Sequence, residues 1–193
     1  MPSLVAPAMA AGSLAASDQP VLPVPGAVSL RPWLLADAAA VMAAFQDPVI
    51  QRWHVRRADS VDEAREWIKG WQRSWLDETA GHWAVADADS DMLLGRLSLK
   101  SLDLADGGAD VAYWMVPSAR GRGICTQAVT TLASWALREA GFYRLELEHS
   151  TVNHASCRVA IKAGFREEGI RRGAALHADG RHDMHLHARL RQE

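Results

Sequence analysis

The chain has 193 residues, 49% of them apolar, and a formal net charge of −2. That length fits one domain that buries roughly 70% of its unfolded surface. The near-neutral charge speaks against a protein that coats nucleic acid. Two cysteines, Cys125 and Cys157, make no disulfide framework and suit a reduced, cytoplasmic setting. No run approaches the ~20 apolar residues of a membrane span. Eight tryptophans are many for this length; beyond core roles they hint at an aromatic-lined groove.

Residues 1–26 are rich in Ala, Pro, Ser and Gly and carry no basic stretch ahead of an apolar run. They read as a flexible or loosely docked N-terminal extension, followed by a single domain over 27–193. A short strand at 28–31 is ended by Pro32. Asp37 is placed to cap a helix over 38–45, which has to close before Pro48. Ser60 and Glu63 have capping-box spacing. The helix they open carries Val61, Ala64, Ile68, Trp71 and Trp75 on one stripe with Trp67 beside it, a core-facing pattern. Strands at 82–87 and 92–99 form an antiparallel pair, and Asp106-Gly107-Gly108 turns the chain into a central strand.

In that central strand Val111, Tyr113 and Met115 alternate with Ala112 and Trp114 until Pro117 stops the ladder. Arg120-Gly121-Arg122-Gly123 follows, then a helix with apolar Val129, Leu132, Ala133, Ala136 and Leu137. Gly141 suits its left-handed stop. A strand at 144–149, a short helix from Asn153 through Ala163, and a hairpin of 165–176 with 183–189 around Asp179-Gly180 complete the chain. Seven strands and four helices in this order give a mixed α/β (α+β) sheet, neither all-parallel nor a sandwich.

Strand, basic glycine turn, helix: this order aims free backbone N–H groups and a positive helix end at one point, where phosphate binds. Neither the dinucleotide fingerprint nor the Gly-Lys-Ser/Thr loop can be read here. What fits is Arg-x-x-Gly-x-small over Arg120, Gly123 and Cys125. Taken alone, the same residues also read as a basic surface turn. The pattern resembles the pyrophosphate loop of the GNAT acetyltransferases, with Cys125 where Gly or Ala is usual. Further segments are similar to the RimJ/RimL branch of that family. They are VSLRPWLLADAAAVMAAFQDP at the start, Asn153-His154-Ala155-Ser156 as N-x-x-S, Ala163-Gly164-Phe165, Gly169 and the hairpin around Asp183. Together they span 27 to about 191.

The resemblance implies a mostly antiparallel, twisted sheet of about seven strands with a splayed central pair, flanked by about four helices. It implies acetyl-CoA as cosubstrate. Trp114, Met115 and Val116 would hold the pantetheine arm, and a backbone N–H there would stabilise the oxyanion. Arg120, Gly121, Arg122, Gly123, Ile124, Cys125 and Thr126 would hold the pyrophosphate. Asn153 would bind the pantetheine amide and Ser156 would protonate the leaving thiolate; a plain helix cap with a solvent-facing serine is the other reading of that pair.

Related peptide acetylators carry a carboxylate where this chain has Ala175. The general base is therefore sought first at Asp110, which also reads as a solvated strand end, and second at His177. The acceptor side is expected from Trp53, His54, Trp114, His185 and His187. The H-x-H spacing of His185 and His187 can bind a metal, but the hairpin is read as lining or buttressing the acceptor side, with no metal.

The implied activity is N-acetyl transfer by direct attack in a ternary complex, with neither cysteine as nucleophile. The acceptor is an amine on a small molecule or at a peptide N-terminus, without membrane or nucleic-acid partners. Homodimers are common in the family. Another acyl-CoA, an aminoacyl-tRNA donor and a non-catalytic acyl-CoA sensor are the alternatives.

Overall fold

The structure, a computed structural model, describes residues 4–54 and 56–192. Strands β1 (Leu22–Val24), β2 (Val28–Pro32), β3 (Gly81–Asp87), β4 (Leu93–Asp103) and β5 (Gly108–Met115) lie side by side in chain order, each antiparallel to the last. The same sheet continues through β6 (Arg144–Ser150), β8 (Gly180–Leu190) and finally β7 (Arg166–His177), giving eight strands among the described residues. Five helices flank it: α1 (Ala38–Ala44), α2 (Pro48–Trp53), α3 (Val61–Leu76), α4 (Ile124–Trp135, continued by a π turn at Ala136–Ala140) and α5 (His154–Lys162).

Strand alternation divides the core in two. On one face Trp33, Val41, Phe45, Ile68, Ala84 and Trp114 pack among α1, α2 and α3. On the other, Leu97, Leu99, Leu145 and Leu147 meet Val129 and Leu132 of α4. Each fully buried leucine or isoleucine in these clusters contributes about 1.5–3 kcal/mol of transfer free energy.

The β5–β6 pair is parallel, and it is short. Its register runs only from Gly108↔Arg144 to Asp110↔Glu146. Beyond Asp110, β5 follows β4 as far as Gly95↔Met115, while β6 follows β8 as far as Ser150↔Met184. Each strand is held by its antiparallel partner, so the sheet opens between them. This is the splayed central pair expected from sequence.

Four local expectations need correction. The segment before residue 27, expected to be flexible or loosely docked, packs against the domain over its described part. Met9 and Leu14 are buried, and Ala8 and Met9 N–H groups donate to the Ala105 and Leu104 carbonyls, both at 2.9 Å. Glu78 accepts from the N–H groups of Gly12, Leu14 and Ala15. The indole N–H groups of Trp75 and Trp83 reach the Ser17 and Pro20 carbonyls, and β1 is an edge strand of the sheet. Composition suggested looseness, but the sparse apolar residues are anchors. Residues 1–3 of the segment lie outside the described residues.

Pro48 does not merely follow a helix. It opens α2 at the first helical position, with the Asp47 carboxylate accepting the Ile50 N–H at 2.9 Å. Asp37 caps no side-chain bond of α1. Its carboxylate is buried against Arg31 at 2.8 Å and takes the Leu34 N–H instead. Half of the capping box forms: Ser60 Oγ accepts the Glu63 N–H at 3.1 Å, whereas Glu63 accepts from Asp59 rather than Ser60.

Candidate active site

Pro117 ends β5, and a single 3-10 turn over Pro117–Ala119 leads into the glycine turn. Gly121 and Gly123 have φ of +73° and +79°, and α4 starts immediately after. A Cβ on either glycine would meet nothing within 4 Å, so backbone conformation, not crowding, requires glycine there. Residues at positive φ among ordinary ones fold the backbone into a concave nest. The first N–H groups of α4 have no intrahelical acceptor. Among the described residues none accepts from the N–H groups of residues 121–126. Six adjacent donors at a positive helix end make an anion site.

This nest borders a cleft of about 420 Å³ that runs between α5 and the open edge of β5. Antiparallel pairing decides which β5 peptides face it. Val116 N–H donates to the Leu94 carbonyl on β4 at 3.0 Å. By ladder alternation Trp114 also turns its peptide to β4, while Tyr113 and Met115 turn theirs to the opening. Across the cleft, Tyr113 Oη lies 2.6 Å from Ser156 Oγ, near the start of α5. Burial holds the Tyr113 phenol protonated well above its ordinary range. Arg158 and Lys162, four apart on α5, add positive charge to the wall.

Residues 28–166 match the model of the acetyltransferase (GNAT) domain. The chain is a GNAT acetyltransferase. It is 31% identical over 136 residues to the putative ribosomal N-acetyltransferase YdaF of Bacillus subtilis (strain 168), covering 69% of this chain and 73% of that one. It is 29% identical over 100 residues to the ribosomal-protein-serine acetyltransferase of Escherichia coli (strain K12), covering 52% of this chain and 56% of the relative. Its fold is that of RimL, a ribosomal L7/L12 alpha-N-protein acetyltransferase solved in complex with coenzyme A, with a TM-score of 0.83. That similarity spans 89% of this chain and 98% of the other at 22% identity. No helix among the described residues is long and apolar enough to cross a membrane.

Within this GNAT frame the expected residues sort by position. Gly121, Gly123, Ile124, Cys125, Thr126, Asn153 and Ser156 all border the cleft, as do Trp53, His54, Trp114 and Met115. Asn153 is the helix cap as well: its Oδ1 accepts the Ser156 N–H at 3.1 Å. Burial pushes the Cys125 thiol up to about 12, so it is neither a thiolate nor a nucleophile at neutral pH. Arg122 is exposed beside the nest.

Arg120 borders the cleft as well, with its guanidinium engaged by the protein, and Val116 does not border it. The Arg120 guanidinium turns inward, donating from Nε to the Met115 carbonyl at 3.0 Å and from Nη2 to Asp47 at 2.9 Å, and its N–H donates to the Pro117 carbonyl. Arg120 therefore braces the loop against the cap of α2. Val116 has its N–H on Leu94 and its carbonyl on the Ala119 N–H, leaving neither peptide group for a ligand.

Period-2 alternation moves the histidines. His185 and His187 face α5, away from the mouth at Trp53, so they are not acceptor-side residues; His187 is fully buried. His177 and His182 instead stand behind Trp53, with ring centroids 5.6 and 6.1 Å from it, and neither borders the cleft itself. Neither ring nitrogen of His177 has a hydrogen-bond partner among the described residues, and burial lowers its pKa. His54 is likewise lowered by burial, against a bond from its Nδ1 to the Ile50 carbonyl. Asp110 does not border the cleft; it sits opposite Glu146 where the splay begins, roughly 17 Å of extended strand before Met115.

Sequence reasoning missed four residues. Tyr113 was visible only as a core-facing strand residue, and the Arg158/Lys162 spacing on α5 was the overlooked signal for the cationic wall. Arg96 carried no signal at all. It lies across the ladder from Trp114, stacked 4.5 Å over Trp71, with Nη2 2.9 Å from His82 Nδ1 and no carboxylate partner among the described residues. Burial brings it down to about 10, so it stays charged at neutral pH.

Proposed function

We propose that this enzyme transfers an acetyl group from acetyl-CoA to a primary amine, preferentially at a peptide or protein N-terminus, by direct attack within a ternary complex. The residues fit that donor. The N–H groups of residues 121–126, with Arg158 and Lys162 on the cleft wall and exposed Arg122 beside the nest, suit a diphosphate. The open β5 edge offers the Tyr113 peptide groups and the Met115 N–H to an extended amide-bearing arm, the Met115 carbonyl being held by Arg120. Asn153 presents its free amide nitrogen from the facing wall.

Ser156 delivers a proton to the sulfur as the C–S bond breaks, Tyr113, protonated at neutral pH and 2.6 Å away, replaces it, and water reprotonates Tyr113 as the product thiol leaves. The Met115 N–H, turned to the opening, stabilises negative charge on the carbonyl oxygen. His177, an imidazole without a hydrogen-bond partner among the described residues, takes the proton lost by the amine; like Asp110 it does not border the cleft itself, but its ring stands against Trp53, which does. A cytoplasmic setting belongs to this reading and agrees with two free thiols.

The observation that carries the proposal is that the nest, the open strand edge and the Tyr113–Ser156 hydroxyl pair border one cleft. Thiol release from acetyl-CoA, followed with a panel of peptide N-termini and small amines, tests it. Amine-dependent release that is highest with peptides is expected. Release that ignores every amine, in protein that still binds coenzyme A, would overturn it.

A further inference from the structure

Beneath α5, outside the cleft, four side chains with metal-binding chemistry converge. His149 is on β6, His185 and His187 are on β8, and Cys157 is on α5. His149 and His185 are directly paired in register, and His187 is two residues on, so all three rings point to the same side of the sheet. Cys157 comes down on them from the helix. One donor atom from each residue lies within 4.8 Å of the other three. His149 and His187 are 4% and 0% exposed.

The hydrogen bonds leave this cluster incomplete. His149 Nδ1 is 2.9 Å from the Ser150 carbonyl, which only accepts, so Nδ1 carries the proton and Nε2 a bare lone pair. That lone pair faces His187 Nε2 at 3.1 Å. His187 Nδ1 is buried without a hydrogen-bond partner, although the Phe165 backbone lies near enough to favour a proton on the ring; His185 Nδ1 is buried without a partner as well. Unpartnered buried ring nitrogens are costly, on the order of 1–3 kcal/mol each. A cation among the rings accepts lone pairs that the protein alone does not use. The Nδ1–carbonyl bond of His149 is also the outer-shell contact that orients a metal-bound imidazole.

We propose that His149, Cys157, His185 and His187 form a zinc site. Three imidazoles and one thiolate are a tetrahedral zinc set. Donors around such an ion lie about 3.3–3.8 Å apart at metal–ligand distances of about 2.0–2.3 Å, so the cluster closes with side-chain shifts of about 1 Å. Four protein ligands leave no open position, which makes the ion structural rather than catalytic. It ties α5 to β6 and β8 next to Ser156, and so fixes the end of α5 that carries Asn153 and Ser156. Sequence spacing exposes only the His185/His187 pair; the fold supplies the other two.

Untagged protein stripped with chelator, then titrated with Co²⁺ and separately with Zn²⁺, tests the site without any activity measurement. One equivalent of Co²⁺ should give tetrahedral ligand-field bands together with a thiolate-to-cobalt band, and Zn²⁺ should displace it and raise Tm. Cys157→Ser, a near-isosteric change at a half-buried position, should abolish the thiolate band and weaken Zn²⁺ binding at least tenfold, with an unchanged circular dichroism spectrum. His149→Asn should weaken it similarly. Failure to bind one equivalent, an octahedral cobalt spectrum, or unaltered binding by both folded variants would overturn the proposal.

Discussion

Tyr113 Oη and Ser156 Oγ stand 2.6 Å apart across the open edge of β5, one contributed by the splayed strand and the other by the first turn of α5. Two hydroxyls so placed act as one proton-donating unit. Ser156→Ala and Tyr113→Phe are each expected to lower kcat by about 10²-fold or more, the scale of general acid catalysis, with KM for acetyl-CoA little changed. The double variant should lose little beyond either single one. Steady-state kinetics on the three variants checks this, and fully additive losses would separate the two roles.

His177 yields a pH prediction with a definite sign. Burial lowers its pKa from 6.5, and as a base it works when neutral. Activity attributable to it is therefore complete above 6.5 and falls as pH drops through the lowered value. Substituting His177→Gln should flatten that acidic limb of the kcat/KM profile. A limb that persists unchanged would assign the proton to another group or to water.

The Arg120–Asp47 pair bears on stability as well as on the loop. Arg120 holds the Asp47 carboxyl below its usual 3.8. A carboxyl depressed in the folded state stabilises fully above its unfolded pKa, and that stability is lost as pH falls through the folded value. The Tm difference between wild type and Asp47→Asn should therefore be constant above about pH 4 and shrink below it. Because the same guanidinium holds the Met115 carbonyl, the variant should also bind coenzyme A more weakly with kcat less affected.

Removing residues 1–20 tests whether the N-terminal segment belongs to the domain. Truncation exposes the sites of Met9 and Leu14 and strips the acceptors from the Trp75 and Trp83 indoles. Two buried side chains are worth about 3–6 kcal/mol, and about 1 kcal/mol moves Tm by roughly 2–4 °C at this size. A fall on the order of 10 °C is expected in a thermal melt, and an unchanged Tm would mark the segment as dispensable.

What could be read from the chain follows from how local each signal is. The glycine turn, Pro117, the α3 stripe and the Asn153 cap are set by neighbours within a few residues, and all appear where periodicity placed them. The direction of Arg120 is not local: the residue before Gly121 could serve a phosphate or brace a helix 73 positions away, and Asp47 decides it. The histidines show a different limit. Alternation fixes that His185 and His187 share a face, but not which face meets α5; only the β6–β8 register does. Tyr113 was legible as a strand residue, whereas its hydroxyl became functional only through contact with a helix 43 positions later.

A calorimetric titration with coenzyme A addresses the phosphate nest and open strand most directly, run on wild type and on Gly123→Val. Wild type should bind one coenzyme A per chain with a clear rise in Tm. The variant should stay folded, since open space surrounds that position, but bind at least tenfold more weakly because a side chain at positive φ distorts the nest. No heat and no thermal shift from wild type at saturating coenzyme A would contradict the account.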